Sequence, residues 1–84
     1  MYIVIYDEEA IKNLEKLEKR NRKRIFEKIT STKENPFHYF EKLTGRDEYK
    51  LRVGVYRIIA DINEKTKRIT VLFVDHRKKV YKKM

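Results

Sequence analysis

Two periodicities occupy separate stretches of this chain, and their order restricts the fold more than any single motif. After a short β-branched and aromatic run, Tyr2 to Tyr6, apolar residues recur at helical spacing: Ala10, Ile11, Leu14 and Leu17, then Ile25, Phe26 and Ile29. From Tyr49 onward the spacing changes to strict alternation, in three segments of about Tyr49–Val53, Val55–Ile62 and Arg68–His76. Asp7 stands where a helix cap belongs, with Glu8 and Glu9 in the first turn, where the macrodipole favours acids. The polar Lys19–Arg24 stretch predicts a break near Asn21, and Asn35-Pro36 predicts the end of the second helix. Residues 37–48 read as a connection anchored by Phe37, Phe40 and Leu43, with a turn at Gly45. Gly54 and the polar Asn63–Lys67 stretch mark the two hairpin turns. Strands grouped after helices predict an α+β fold: a helical hairpin packed on a small, mainly antiparallel β-sheet, in the order β-α-α-β-β-β. The 84 residues are read as one domain, 1–84, with a modest core.

Charge is distributed unevenly. Of the net +9, residues 1–48 contribute 11 Lys/Arg against 10 Asp/Glu, a balance of +1. Residues 49–84 contribute 11 Lys/Arg against 3 acids, a balance of +8. A Lys/Glu-rich decoration of the thermophilic kind accounts for the first stretch but not for the acid depletion of the second. A one-sided basic surface attracts polyanions. The absence of cysteine fits a reducing cytosol, and neither a signal peptide nor a membrane span is expected, so the protein is read as soluble and cytoplasmic.

Strand alternation sorts the cations. Tyr49, Leu51 and Val53 share one face, and Lys50 and Arg52 the other. In the next strand Tyr56, Ile58, Ala60 and Ile62 are apolar, and Arg57 lies opposite with Val55, Ile59 and Asp61. If Leu72 and Val74 meet the helices, Arg77 joins Lys50, Arg52 and Arg57 on a far face that also carries Val55, Ile59, Val71 and Phe73. A single strand cation is ordinarily a solvated device against edge aggregation. Four converging ones, with acids nearly absent beside them, point to a phosphate-binding face. Tyr81 among Lys78, Lys79, Lys82 and Lys83 suits stacking on a base beside RNA-binding lysines, the alternative being a ring packed on the domain. His76 falls out of phase with Arg77 and reads as a satisfied, half-buried histidine.

The segments Tyr49-Lys50-Leu51-Arg52-Val53-Gly54-Val55-Tyr56-Arg57-Ile58-Ile59 and His76-Arg77-Lys78-Lys79-Val80-Tyr81 resemble the RelE/ParE superfamily of toxin–antitoxin toxins, on its RelE branch. Leu14 and Leu17, Asn35-Pro36 and Lys42-Leu43-Thr44-Gly45 fit the same pattern in order, so the resemblance spans almost the whole chain. It implies a RelE-like fold and a metal-independent, cofactor-free endoribonuclease. That enzyme would cut mRNA in the ribosomal A site through the RNA's own 2′-hydroxyl. It also implies a RelB-like antitoxin in a toxin–antitoxin hetero-oligomer, and a catalytic set of Lys50, Arg52, Arg57, Arg77 and Tyr81.

Side-chain chemistry then distributes roles within that set. Arginine stays protonated and suits clamping, so Arg57 and Arg77 would hold the nonbridging oxygens. Lys50 is the candidate base and Tyr81 the stacking residue. Two other readings stay open: a ParE-like inhibitor of DNA gyrase, and a non-catalytic basic module that binds RNA or the ribosome.

Overall fold

The computed structural model describes residues 1–76 of the chain. Its elements are β1 (Ile3–Tyr6), α1 (Glu8–Glu15), α2 (Lys19–Ser31), a 3-10 turn (Pro36–His38), β2 (Glu41–Lys42), β3 (Tyr49–Val53), β4 (Tyr56–Asn63) and β5 (Arg68–His76). They form a sheet of order β1-β5-β4-β3-β2 with the two helices against one face. β1 runs parallel to β5, and the other pairs are antiparallel. This is the expected α+β architecture with one strand more than the alternation predicts. β2 is two residues long, too short to leave a period.

The helix boundaries follow local chemistry, with one correction. Asp7 takes the extended backbone of a cap, but its carboxylate makes no capping bond. The break falls at Leu17-Glu18 rather than near Asn21: the amides of Asn21 and Arg22 both donate to the Glu18 carbonyl at 3.0 Å. Asn21 is thereby helical, and its side-chain amide donates to the Tyr56 hydroxyl at 3.4 Å. α2 ends at Ser31, ahead of Pro36.

Each helix buries a narrow stripe. Ala10 and Leu14 of α1 and Ile25 and Ile29 of α2 meet Leu51, Val53, Ile58, Ala60, Ile69 and Val71. Ile11 and Phe26, expected inside, are 46% and 52% exposed. The Phe26 ring stacks on Tyr6 at a centroid distance of 5.8 Å. Together with Leu14 these residues line an apolar groove rimmed by Lys19, Arg22 and Lys23 and by one acid, Glu15. Burial raises the Tyr6 phenol to about 12, and its hydroxyl finds no hydrogen-bond partner among the described residues.

A bulge in β5 overturns part of the alternation. Ile59 pairs with Phe73, but Ala60 pairs with Val71, so Leu72 is the extra residue. Ile69 and Val71 therefore turn into the core with no exposed surface, although unbroken parity puts them on the far face. Beyond the bulge Val74 is buried, and Phe73 and Asp75 regain the phase of Arg57. β1 covers β5 only as far as Val71. Past that point the Asn13 side chain of α1 accepts the Val74 amide at 2.9 Å, ending the exposed ladder with a side-chain oxygen. Asn13→Ala leaves that amide without its acceptor and is expected to cost roughly 1–3 kcal/mol. A melting curve of the variant checks this, with a downward shift of about 4–8 °C per kcal/mol.

Candidate nucleic-acid interface

Two turns present the cations. In β3, Leu51 and Val53 are buried, which turns Lys50 and Arg52 to the other face. Gly54-Val55 joins β3 to β4, with Gly54 at φ +60°, so Arg52 and Arg57 become direct cross-strand partners. The Arg24 guanidinium of α2 lies against this turn: a Cβ on Gly54 would come within 2.8 Å of its Nη1. β2 is so short that it shields β3 only at Tyr49 and Lys50. Beyond β2, a cleft of about 630 Å³ holds Lys50, Arg52 and Arg57. Its other walls are Lys28 of α2 and His38, Tyr39 and Glu41 of the connection.

The connection is held firmly although it is irregular. The Pro36 carbonyl accepts the amides of Tyr39 and Phe40 at 3.0 and 2.8 Å, and the Phe40 ring is only 4% exposed. Phe37 remains 40% exposed but packs edge-on against Tyr2 and Tyr49. Lys28 Nζ stands 5.1 Å above the Tyr39 ring, which meets the His38 imidazole edge to face at 4.9 Å.

Acids are nearer to the cations than the charge count implies. Glu41 lies directly across the ladder from Lys50. Asp75 lies across from Arg57 and forms an ion pair with it, Nη2 to Oδ2, at 3.7 Å. The expectation of an acid-poor site is therefore corrected: two of its cations each face a carboxylate. Arg57 remains only partly satisfied, because its buried Nε–H has no acceptor among the described residues. Because that Nε–H is shut off from solvent, the donors left for an anion are those of the terminal nitrogens.

The centre of the far face is covered. Ile59 is 4% exposed, next to Leu43, Thr44, Arg46, Arg57 and Phe73. The covering loop closes through Leu43 N to Glu48 O at 2.9 Å and Arg46 Nε to Glu48 Oε1 at 3.0 Å. The hydrogen bond from Arg46 holds the Glu48 carboxyl below its usual range. The cleft thus sits at one end of the sheet. His76 lies across from Tyr56, their rings edge to face at 5.3 Å, on the opposite phase from Arg57. Arg77, Lys78, Lys79, Tyr81, Lys82 and Lys83 lie outside the described residues.

Sequence reasoning missed Lys28, His38, Tyr39 and Glu41. Lys28 looks like one more solvated helix cation, and residues 38–41 have no period to read. Only the Pro36 and Phe40 anchors hint that the segment is fixed.

Arg52 and Arg57 as direct partners store repulsion. Like charges across a ladder cost about 0.2–1 kcal/mol. Arg52→Gln is expected to raise the melting temperature at low salt and to reduce the stabilisation that added inorganic phosphate gives the unaltered protein. Thermal melts with and without phosphate check both effects.

Residues 4–81 match the family described as the ParE toxin of the type II toxin–antitoxin system parDE. The chain belongs to that RelE/ParE superfamily, and its solved structural relatives are RelE toxins. In the toxin–antitoxin complex RelBE2 of Mycobacterium tuberculosis, the matching chain is 25% identical, with a TM-score of 0.84 over 90% of this chain and 98% of that one. The isolated Escherichia coli RelE toxin is 27% identical, with a TM-score of 0.77 over 99% and 94%. The RelE–RelB complex of Pyrococcus horikoshii gives 29% identity and a TM-score of 0.74 over 90% and 94%. A search of curated protein sequences finds no match. Among the described residues no helix is long and apolar enough to cross a membrane.

Proposed function

We propose that this toxin is a metal-independent endoribonuclease that cuts mRNA in the ribosomal A site and so stops translation in the cytoplasm. The observation that carries the reading is the convergence of Lys50, Arg52 and Arg57 in one open cleft. In-line attack by a 2′-hydroxyl needs charge on the phosphorane countered at once. Arg57 and Arg52 would clamp nonbridging oxygens as they become more negative. Lys50 stands beside them to counter the same charge or accept the attacking proton. Arg77 would complete the clamp, and Tyr81 would stack a base among Lys78, Lys79, Lys82 and Lys83.

The cleft is open and most of its walls are long, exposed side chains that lose rotamer freedom on binding, so it orients RNA poorly by itself. The ribosome would supply that orientation, which can be worth many orders of magnitude in rate. Mapping mRNA 5′ ends after adding the protein to a translation reaction tests the reading: new ends are expected within the A-site codon.

The partner we propose is a RelB-like antitoxin, as found with RelE in the complexes from Mycobacterium tuberculosis and Pyrococcus horikoshii. The apolar groove of Ile11, Leu14 and Phe26, with its rim of Lys19, Arg22 and Lys23, suits an amphipathic segment carrying acids.

The ParE description of the matched family favours a second reading, inhibition of DNA gyrase. It predicts loss of supercoiling with mRNA intact. A non-catalytic RNA-binding module predicts salt-sensitive binding with no scission.

A further inference from the structure

We propose that the Tyr39 ring is a base-stacking platform of this cleft, and that the Lys28 ammonium now above it moves to the adjoining phosphate when a base takes its place. The ligand class is single-stranded RNA, held by the face of one nucleobase. This rests on the ribonuclease reading above and supplies what the cations lack. Arginine and lysine hold a phosphate but leave its base free to turn, whereas an aromatic face fixes the base.

Three observations mark the ring. Of the described residues that line the cleft with Lys50, Arg52 and Arg57, Tyr39 presents the largest flat surface. Its backbone is fixed, because its amide and that of Phe40 both donate to the Pro36 carbonyl and the Phe40 side chain is buried. The ring is nevertheless 40% exposed, and it meets His38 and Lys28, which are exposed themselves. Phe37 is exposed to the same degree but packs edge-on against Tyr2 and Tyr49, so its ring belongs to the domain's own aromatic cluster. Among the described residues Tyr39 meets no ring of the core.

Lys28 makes the exchange favourable. Its Nζ stands 5.1 Å from the centre of the Tyr39 ring, and it has no carboxylate partner among the described residues. An exposed ammonium over a phenol ring is held weakly, and a nucleobase stacked there is held more firmly. The displaced ammonium stays on its flexible stem beside the RNA backbone, where it adds a cation to the row of Lys50, Arg52 and Arg57. Stacking and charge then act on neighbouring parts of one strand, the base on Tyr39 and the phosphate on Lys28. Tyr39 precedes Glu41 by two residues, and Glu41 pairs with Lys50, so the platform adjoins the cationic row. Every base has a π-face, so the platform aids cleavage of all codons alike and sets no codon preference.

The experiment reads the ring with and without catalysis. The toxin is first titrated with a short 2′-O-methyl oligoribonucleotide, which it cannot cut because the attacking hydroxyl is blocked. The Tyr39 ring protons are expected to move upfield as a base stacks over them. Lys28→Gln is expected to lower the slope of log affinity against log salt by about 0.7, the value of one phosphate contact on a single strand. Ring protons that stay in place at saturation, or an unchanged slope, overturn the proposal. On programmed ribosomes Tyr39→Leu is expected to slow single-turnover cleavage about tenfold at every codon, and Tyr39→Phe to recover most of the loss. With an abasic nucleotide walked along the A-site codon and its neighbours, one position should make Tyr39→Leu and the unaltered protein equally slow. A Tyr39→Leu defect that persists at every abasic position belongs to the structure of the connection and overturns the proposal, as does an unaltered rate. If the unaltered protein cuts no message, the ribonuclease reading fails, and the ring shifts still decide the platform.

Discussion

Arg57→Ala is expected to lower single-turnover cleavage of A-site mRNA by about 10²–10³-fold, the loss typical of removing one preorganised donor from a developing anion. Its antitoxin affinity should change by less than a few-fold, because the apolar groove of Ile11, Leu14 and Phe26 does not include Arg57. Arg57 outranks Arg52 for a geometric reason. Arg52 is exposed at the end of β3, whereas Arg57 is half-buried, with one guanidinium nitrogen on Asp75 and its Nε–H buried with no acceptor among the described residues. The fork is therefore held by the protein, and its terminal nitrogens are the donors left to give. Arg57→Lys should recover charge but not the fork, and should fall between the alanine variant and the unaltered protein. The fold should survive either change, since a half-exposed ion pair contributes no more than about 1 kcal/mol. Rates from quenched single-turnover reactions, read beside antitoxin titrations, separate a catalytic loss from a structural one.

The largest effect on stability is expected from Ile58→Ala, at roughly 2–5 kcal/mol. Ile58 has no exposed surface, occupies the middle strand of the sheet, and is paired with Leu51 on one side and Val74 on the other. The ladders on both sides hold the backbone in place, which limits how far neighbours can close the space. For a chain of this size the total is only about 4–13 kcal/mol, so the loss is a large share. Activity should fall with the folded fraction alone. Ile58 follows Arg57 on β4 and faces the other way, so the cleft's geometry in the surviving folded molecules stays intact. Urea unfolding gives the stability loss, and activity per folded molecule gives the control.

The bounds of β3 and the shared face of Lys50, Arg52 and Arg57 were legible because each rests on uninterrupted alternation, and the bounds of β5 because an apolar, β-branched run lies between charged ends. The β5 bulge was not. Between Ile69 and Val74 almost every residue is apolar, so one extra residue changes the facing of Val71 without changing the pattern. Ile11 and Phe26 misled for a related reason: their apolarity serves a groove at the surface, and helical spacing cannot separate a groove from a core. The charges show a different failure. Counting by chain segment put Glu41 with the balanced first stretch, although the ladder sets it beside Lys50. Asp75 was visible on the phase of Arg57, but the acid depletion of its segment obscured the pairing. Sequence order hides cross-strand neighbours, and this cleft is assembled from them. Its walls at Lys28, His38 and Tyr39 come from a helix and an aperiodic connection that only the folded chain brings together.

The central claim is that a cationic cleft with little power to orient RNA becomes a nuclease on the ribosome. One mRNA, offered naked and as the message of a stalled translating ribosome, tests it most directly by single-turnover 5′-end mapping with the unaltered toxin. The account predicts cuts confined to the A-site codon of the ribosome-bound message and at least hundreds-fold slower scission of the naked RNA. Equal cutting of both forms, or intact mRNA alongside inhibited gyrase supercoiling, would contradict it.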